Sequence, residues 1–515
     1  MITCNRGLIV TGVFICLALG FLFPYNGSGE TTRSGIVIDK SRIENEDFKN
    51  TAESLSHCIM GNLYDDAGQT SEAVQEYQAA QAKRGDIGTI YAKLGADYML
   101  LGETDKAREN FQRAAVLDPE DETPKLFLAL VNTSKGEYSQ AESQYKAVLE
   151  KDPDNLKALA FMADLLVLQK QYDKAAAIYE KMLQINGDDA FLYFNLGVIC
   201  GKANKLEEAE SYLKKAIALD RHYAEAQTVL GYVYEVAGNF QEAAKQYEKV
   251  LENDPSNKTV YARLGHVYFR SGYKEKAIEC YQELIKLEPK MPEPYLKAFS
   301  IYFLSKEDDK AEGILKEALK QGVEDAVIYS SLGYLELSKE RNKEGAEYYE
   351  VSLKKDPKNN LYRFYLGVAK DRMGKRDEAV KLFEEAVENK ADFPEVYNYL
   401  GYIFVENNEN LERAVALIQK ALELDPENGA YSDSLGWAYY KKGMYAEAEK
   451  HILKAIETMS NDAVVREHLG DVYFALGDQA KARCEWKKSL EIEPGNEAVA
   501  KKIKELEAIP VAGKK

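Results

Sequence analysis

Hydrophobic and polar residues alternate along most of the chain in two helical patterns that follow one another. In "VYARLGHVYFRSG" (Val260–Gly272) the apolar positions recur at the spacing of one helix face. In "YKEKAIECYQELIKLEP" (Tyr273–Pro289) a second amphipathic segment does the same. The pair then returns with a period of 34 residues. Counting from Gly436 and allowing one inserted residue, the same register falls on Gly61, Gly95, Ala129, Ala163, Gly197, Gly231, Gly265, Phe299, Gly333, Gly367, Gly401 and Gly470. These thirteen marker positions hold ten Gly, two Ala and one Phe, and Leu precedes ten of them. Twelve residues after the marker stands Ala in twelve of the thirteen copies, for example Ala73, Ala243 and Ala448, the exception being Gly345. A register kept over so many copies is an internal repeat, and it replaces the three or four domains that 515 residues would otherwise suggest.

Each repeat predicts two helices. Seven residues past the marker comes Gly in eight copies and Asn in two (Asn204, Asn408), which suits a left-handed helix C-cap. Pro follows 24 residues past the marker in seven copies, one residue later in the copy with the insertion, and separates one unit from the next. Small residues at the marker and twelve further on let two antiparallel helices approach closely. Tyr is frequent, at 35 residues, and thirteen of these fall three or sixteen residues past a marker; Trp486 takes the second position once. Their regular placement predicts packing between helices.

This Leu-Gly, Tyr, Ala, aromatic, Ala, Pro pattern resembles the tetratricopeptide repeat (TPR) family over residues 54–496. The resemblance implies an all-α fold, a right-handed superhelical solenoid of antiparallel helix pairs. The segment "NEAVAKKIKELEA" (Asn496–Ala508) looks like a capping helix, assigned to 497–508, with a tail at 509–515. One repeat departs from the pattern: Ala298–Phe299 replaces Leu-Gly beneath Pro292 and Pro294. Either the core repacks around Phe299, or the superhelix changes angle there and divides the array in two.

Composition narrows the function. The net charge of −18 opposes phosphate backbones, so no nucleic-acid partner is expected. Six cysteines are scattered without C-x-x-C spacing: Cys4 and Cys16 in the leader, then Cys58, Cys200, Cys280 and Cys484, expected to be mostly buried thiols. No phosphate-binding, zinc-protease or calcium-loop motif occurs, and the five histidines do not repeat at ligand spacing. No catalytic residue, cofactor or metal is expected. Before the array, Arg6 precedes the apolar run "LIVTGVFICLALGFLFPY" (Leu8–Tyr25), followed by small residues in "NGSGE". Residues 1–25 therefore read as a signal peptide or a signal anchor, with membrane attachment through 8–25 if retained, and 26–53 as a polar linker. Arg6 predicts that the remainder is exported to an extracytoplasmic location.

In TPR proteins the first helix of each repeat lines a concave groove. The resemblance implies that the groove positions lie six and three residues before the marker and one, four and five after it. They hold Phe191, Phe194, Tyr232, His266, Phe269, Arg270, Phe303, Tyr334, Phe364, Arg372, Asn398, Tyr402, Asp433, Trp437, Tyr440 and Phe474. About half of an aromatic strip of this kind extends the packing between repeats, and the rest marks a binding surface for a peptide or helix of a protein partner. The closing repeats, "YSDSLGWAYYKKG" (Tyr431–Gly443) and "REHLGDVYFALGDQAKARCEWKKSL" (Arg466–Leu490), resemble those of bacterial envelope TPR proteins. The resulting expectation is a non-catalytic, exported interaction scaffold in envelope assembly or secretion. The alternatives are a cytoplasmic or cytoplasm-facing adaptor or co-chaperone, and a TPR-associated enzyme such as a glycosyltransferase, for which no catalytic segment is visible.

Overall fold

The computed structural model describes residues 46–508, which form 27 helices, α1 to α27 in chain order. They are thirteen pairs plus one terminal helix, and every marker residue lies on the first helix of its pair. The chain divides into two compact units that meet at Asp188 and Asp189. The first holds α1 (Glu46–Asp66) to α8 (Tyr172–Asn186), the second α9 (Ala190–Lys202) to α27 (Glu497–Ala508). The apolar run 8–25 and the tail 509–515 lie outside the described residues. So do residues 26–45 of the expected linker; its remainder, 46–53, is helical and opens α1. Among the described residues no helix is long and apolar enough to cross a membrane.

The helix ends follow from the repeat register. All thirteen residues seven past a marker have positive φ. Ten are the Gly and Asn of the pattern; the other three are Lys170, Lys306 and Glu340, which hold the same left-handed turn without a glycine. The turn closes by the two bonds of a Schellman motif: the Gly272 N–H donates to the Phe269 carbonyl at 3.0 Å and the Tyr273 N–H to Tyr268 at 2.9 Å. The helix starts carry a second signal, separate from the marker register. Asn155, Asp189, Asn257, Asp325, Asn359, Asn428 and Asp462 each cap a first helix by accepting backbone N–H groups. In the Asp-Pro-x-Asn turns the capping Asn is itself held, as where Asn359 Nδ2 donates to Asp356 Oδ2 at 3.1 Å.

Close packing explains the small residues. A Cβ built on Gly231 would lie 2.6 Å from the Tyr247 ring, so the aromatic sixteen residues on occupies the space that the glycine leaves. The alanines twelve past the marker are fully buried. At Phe299 the core simply continues: one cluster of buried residues runs from Cys200 to Leu335, with Ala298 and Phe299 inside it and Phe299 stacked on Phe303 at 5.7 Å. The array is not divided at that repeat; its compact units meet at Asp188 and Asp189 instead. The terminal helix α27 buries Val499, Ile503 and Leu506 in the same cluster as Trp486 of α26 (Gln479–Ile492). The cysteines correct an expectation: Cys200 and Cys280 are buried, with burial pushing the Cys280 thiol up to about 12, but Cys58 is half-buried and Cys484 exposed.

Candidate partner-binding groove

In the second unit, first helices of neighbouring pairs touch one another, as α21 (Pro394–Glu406) touches α23 (Gly429–Lys441) and α23 touches α25 (Ala463–Ala475). Helices one pair apart meet only on the inner side of such a stack, so the residues between them share one face.

The sequence-predicted residues divide on that face. Phe191, Tyr232 and Tyr334 are exposed, at 38%, 47% and 41%. Tyr232 lies under the Arg263 guanidinium at 4.7 Å, and Tyr334 meets Phe303 and Tyr365 edge to face at 5.6 and 5.8 Å. His266 Nδ1 stands 3.1 Å from Glu235 Oε1. Arg270 is exposed over the Phe240 ring, and Arg372 is exposed with its guanidinium 3.4 Å from the Leu337 carbonyl. Phe194 and Phe269 are half-buried against the core. Phe474 is exposed beside Trp486. One assignment is corrected, and one residue is engaged within the chain. Phe364 is buried, because the rings of Tyr365, Phe383, Phe393 and Tyr399 enclose it at its groove position. Asp433 is 8% exposed and serves His468, whose Nδ1 lies 2.9 Å from Asp433 Oδ2.

Asn398, Tyr402, Asp433, Trp437 and Tyr440 are brought together. The first three border a cavity of about 480 Å³ that Asp371, Tyr399, Glu406 and Asp462 also line. The Trp437 ring lies parallel to Tyr440 at 4.6 Å and to His468 at 4.0 Å. Its Nε1–H donates to Glu406 Oε1 at 3.3 Å, and the Lys441 ammonium lies 5.1 Å from its ring centre. The Tyr402 hydroxyl is pushed up to about 12, first by burial and then by the negative charges of Glu406 and Asp433. Asp371 is already engaged, accepting from Arg376 Nε at 2.9 Å and from the Tyr399 hydroxyl at 3.0 Å. The Asn398 Oδ1 is buried with no hydrogen-bond donor.

The aromatic-led reading missed the carboxylates. Glu235, Asp371, Glu406 and Asp471 stand at the groove positions one, four or five past their markers and orient the aromatic and basic groups around them. Three of the core aromatics sixteen past the marker send their polar ends to a carboxylate at a groove position of their own repeat. The Tyr77 hydroxyl donates to Asp65 at 2.7 Å, Tyr247 to Glu235 at 3.1 Å, and Trp486 Nε1 to Asp471 at 2.9 Å. Carboxylates recurring at those positions opposite Tyr or Trp are a signal that the sequence already carries.

Paired helices in this register, closed by a capping helix and facing inward with a row of first helices, define a TPR array. Family comparison matches the tetratricopeptide repeat at residues 88–121, 132–197, 364–429, 405–464 and 434–497. Residues 188–294 match the C-terminal ARM domain of tetratricopeptide repeat protein 21. The chain belongs to the tetratricopeptide repeat family, and as such it is a protein–protein interaction scaffold. A TPR repeat-containing protein of Pseudomonas aeruginosa is 36% identical over 74 residues, 14% of this chain and 12% of the relative. A protein O-mannosyl-transferase of Homo sapiens is 25% identical over 201 residues, 38% of this chain and 22% of the relative. Thus the match spans less than a quarter of either relative's length. Among solved structures, YrrB, described as a TPR protein with an unusual peptide-binding site, is 25% identical with a TM-score of 0.31, covering 39% of this chain and 100% of that one.

Proposed function

We propose that this scaffold is non-catalytic and holds an extended segment or helix of a protein partner along the inner face of its first helices, centred on Trp437 and Tyr402. The observation that supports this most directly is the cavity between α21, α23 and α25, with aromatic walls and an unpartnered buried carbonyl at Asn398. Aromatic surface beside a few fixed polar groups is how peptide grooves combine affinity with orientation. The test is selection of short random peptides on the purified full chain, followed by affinity measurement on Trp437→Ala plus Tyr402→Ala. Loss of about tenfold or more in affinity, with the helical circular dichroism kept, is expected from removing two aromatic contacts. Unchanged affinity would overturn the groove assignment.

The same proposal places the array outside the cytoplasm, in envelope assembly or secretion. Its support is the apolar run Leu8–Tyr25 preceded by Arg6. A cytoplasm-facing adaptor is the competing reading, and protease access in intact cells separates the two.

A further inference from the structure

We propose that the cavity lined by Tyr402, Glu406 and Asp433 receives a lysine or arginine side chain of the partner segment. This rests on the groove reading and specifies the chemistry of its occupant.

The chain itself supplies the template. In the last repeat, Lys502 of the capping helix reaches back to the groove positions three before and one after the marker. Its Nζ lies 2.8 Å from Glu467 Oε1 and 2.6 Å from Asp471 Oδ2, with the ring of Trp486 at 6.0 Å. Burial alone would pull the Lys502 ammonium down, but the bonds to Asp471 and Glu467 outweigh it and the net shift is upward. An ammonium held between groove carboxylates beside an indole is therefore an arrangement this surface already accommodates.

Elsewhere the array fills its groove acids from the next repeat. Lys93 lies 3.6 Å from Asp65 and Arg263 lies 3.3 Å from Glu235; both cations stand two residues before a marker. In the repeat of Trp437 that position is Ser434, and the acid of the preceding repeat is Glu406, one position further along its helix than Asp65 and Glu235. Glu406 accepts the indole N–H of Trp437, and no Lys or Arg among the described residues lies within 4.0 Å of its carboxylate. Around it stand Asp433 and Asp462, while the one arginine of the cavity, Arg376, is taken by Asp371. The pocket thus carries excess negative charge beside aromatic walls. An aliphatic stem would lie along Tyr402 and its charge would meet Glu406, whose carboxylate the Trp437 indole holds in place.

The test uses peptides selected from a random library on the full-length chain. One position is expected to carry Lys or Arg in the selected set. Changing that residue to Gln should weaken binding about tenfold, Glu406→Gln should do the same, and the two losses should not add, as expected of one shared contact. Glu406→Lys should shift selection toward Glu or Asp at that position, a reversal that a merely structural effect would not produce. Because Glu406 is exposed, these variants leave the helix packing in place. Peptides that need Trp437 and Tyr402 but carry no basic residue, or bind Glu406→Gln as well as the unaltered chain, would overturn the cationic occupant and leave the groove reading standing. Failure to select any peptide, or peptides indifferent to Trp437→Ala plus Tyr402→Ala, would overturn both.

Discussion

Asp97 is 3% exposed, and its Oδ2 finds no hydrogen-bond donor among its neighbours. Burial first, and then the charge and hydrogen bond of Asp65, push its carboxyl far above the ordinary carboxylate range, against the weaker pull of Lys93. Burial and the neighbouring charge of Asp65 thus hold the proton on this side chain more tightly than on an exposed carboxyl. A carboxyl raised in the folded state binds its proton more tightly there than in the unfolded chain. Its contribution to stability is present below the unfolded value, near 4, and is lost as pH rises toward the folded one. Asp97→Asn keeps a neutral donor in place at every pH. The variant should match the unaltered chain near pH 4 and exceed it by about 1–3 kcal/mol above neutrality. Denaturant melts of both proteins across that range would measure this, and a stability difference constant with pH would refute it. Nothing in the sequence singled Asp97 out: its neighbour Tyr98 fits the repeat, whereas the pairing with Asp65 comes from the preceding repeat across the helix interface.

At the scale of the element, the C-caps show what the repeat demands and where this chain pays for departing from it. Lys170, Lys306 and Glu340 adopt φ near 60° in turns where other copies place Gly or Asn. A side chain with a Cβ is strained there, and glycine relieves the strain at some cost in unfolded-chain entropy. Each of Lys170→Gly, Lys306→Gly and Glu340→Gly should raise stability by about 0.5–1 kcal/mol. Thermal melting of the single and combined variants reads the gain, and a lowered midpoint would show that the side chains stabilise the native turn by contacts of their own. The helix pairs were legible from spacing because the same packing problem is solved thirteen times. At a marker glycine the side chain sixteen residues on fills the space a Cβ would take, as Tyr247 does at Gly231 and Ile452 at Gly436, whereas Ala129 and Ala163 stand opposite Tyr145 and Tyr179 with a methyl in place. The N-caps were legible too, in the Asp-Pro-x-Asn turns, which lie outside the positions that define the marker register.

At the scale of the whole molecule, repeated nearest-neighbour packing makes the array a sum of similar pairs, which is why a chain of net charge −18 still folds around a long apolar core. Export is a property of the intact chain and is tested on it. In bacterial spheroplasts, protease added outside should digest the array while cytoplasmic markers survive; full protection of the array would overturn the exported reading. The one-dimensional code determined the all-α class, the helix pairs, the register and the cap, because each depends on residues close in sequence and repeated at a fixed interval. Which groove residues are free to meet a partner was decided by contacts between repeats. Phe364 occupies a groove position yet is enclosed by neighbouring rings, and Asp433 lines the cavity while holding His468. Tyr402 and Glu406 stay beside an open cavity, with Glu406 held by the Trp437 indole. Those outcomes depend on side chains about 31 to 35 residues apart, where the period specifies only that helices meet and the individual side chains set what lies between them.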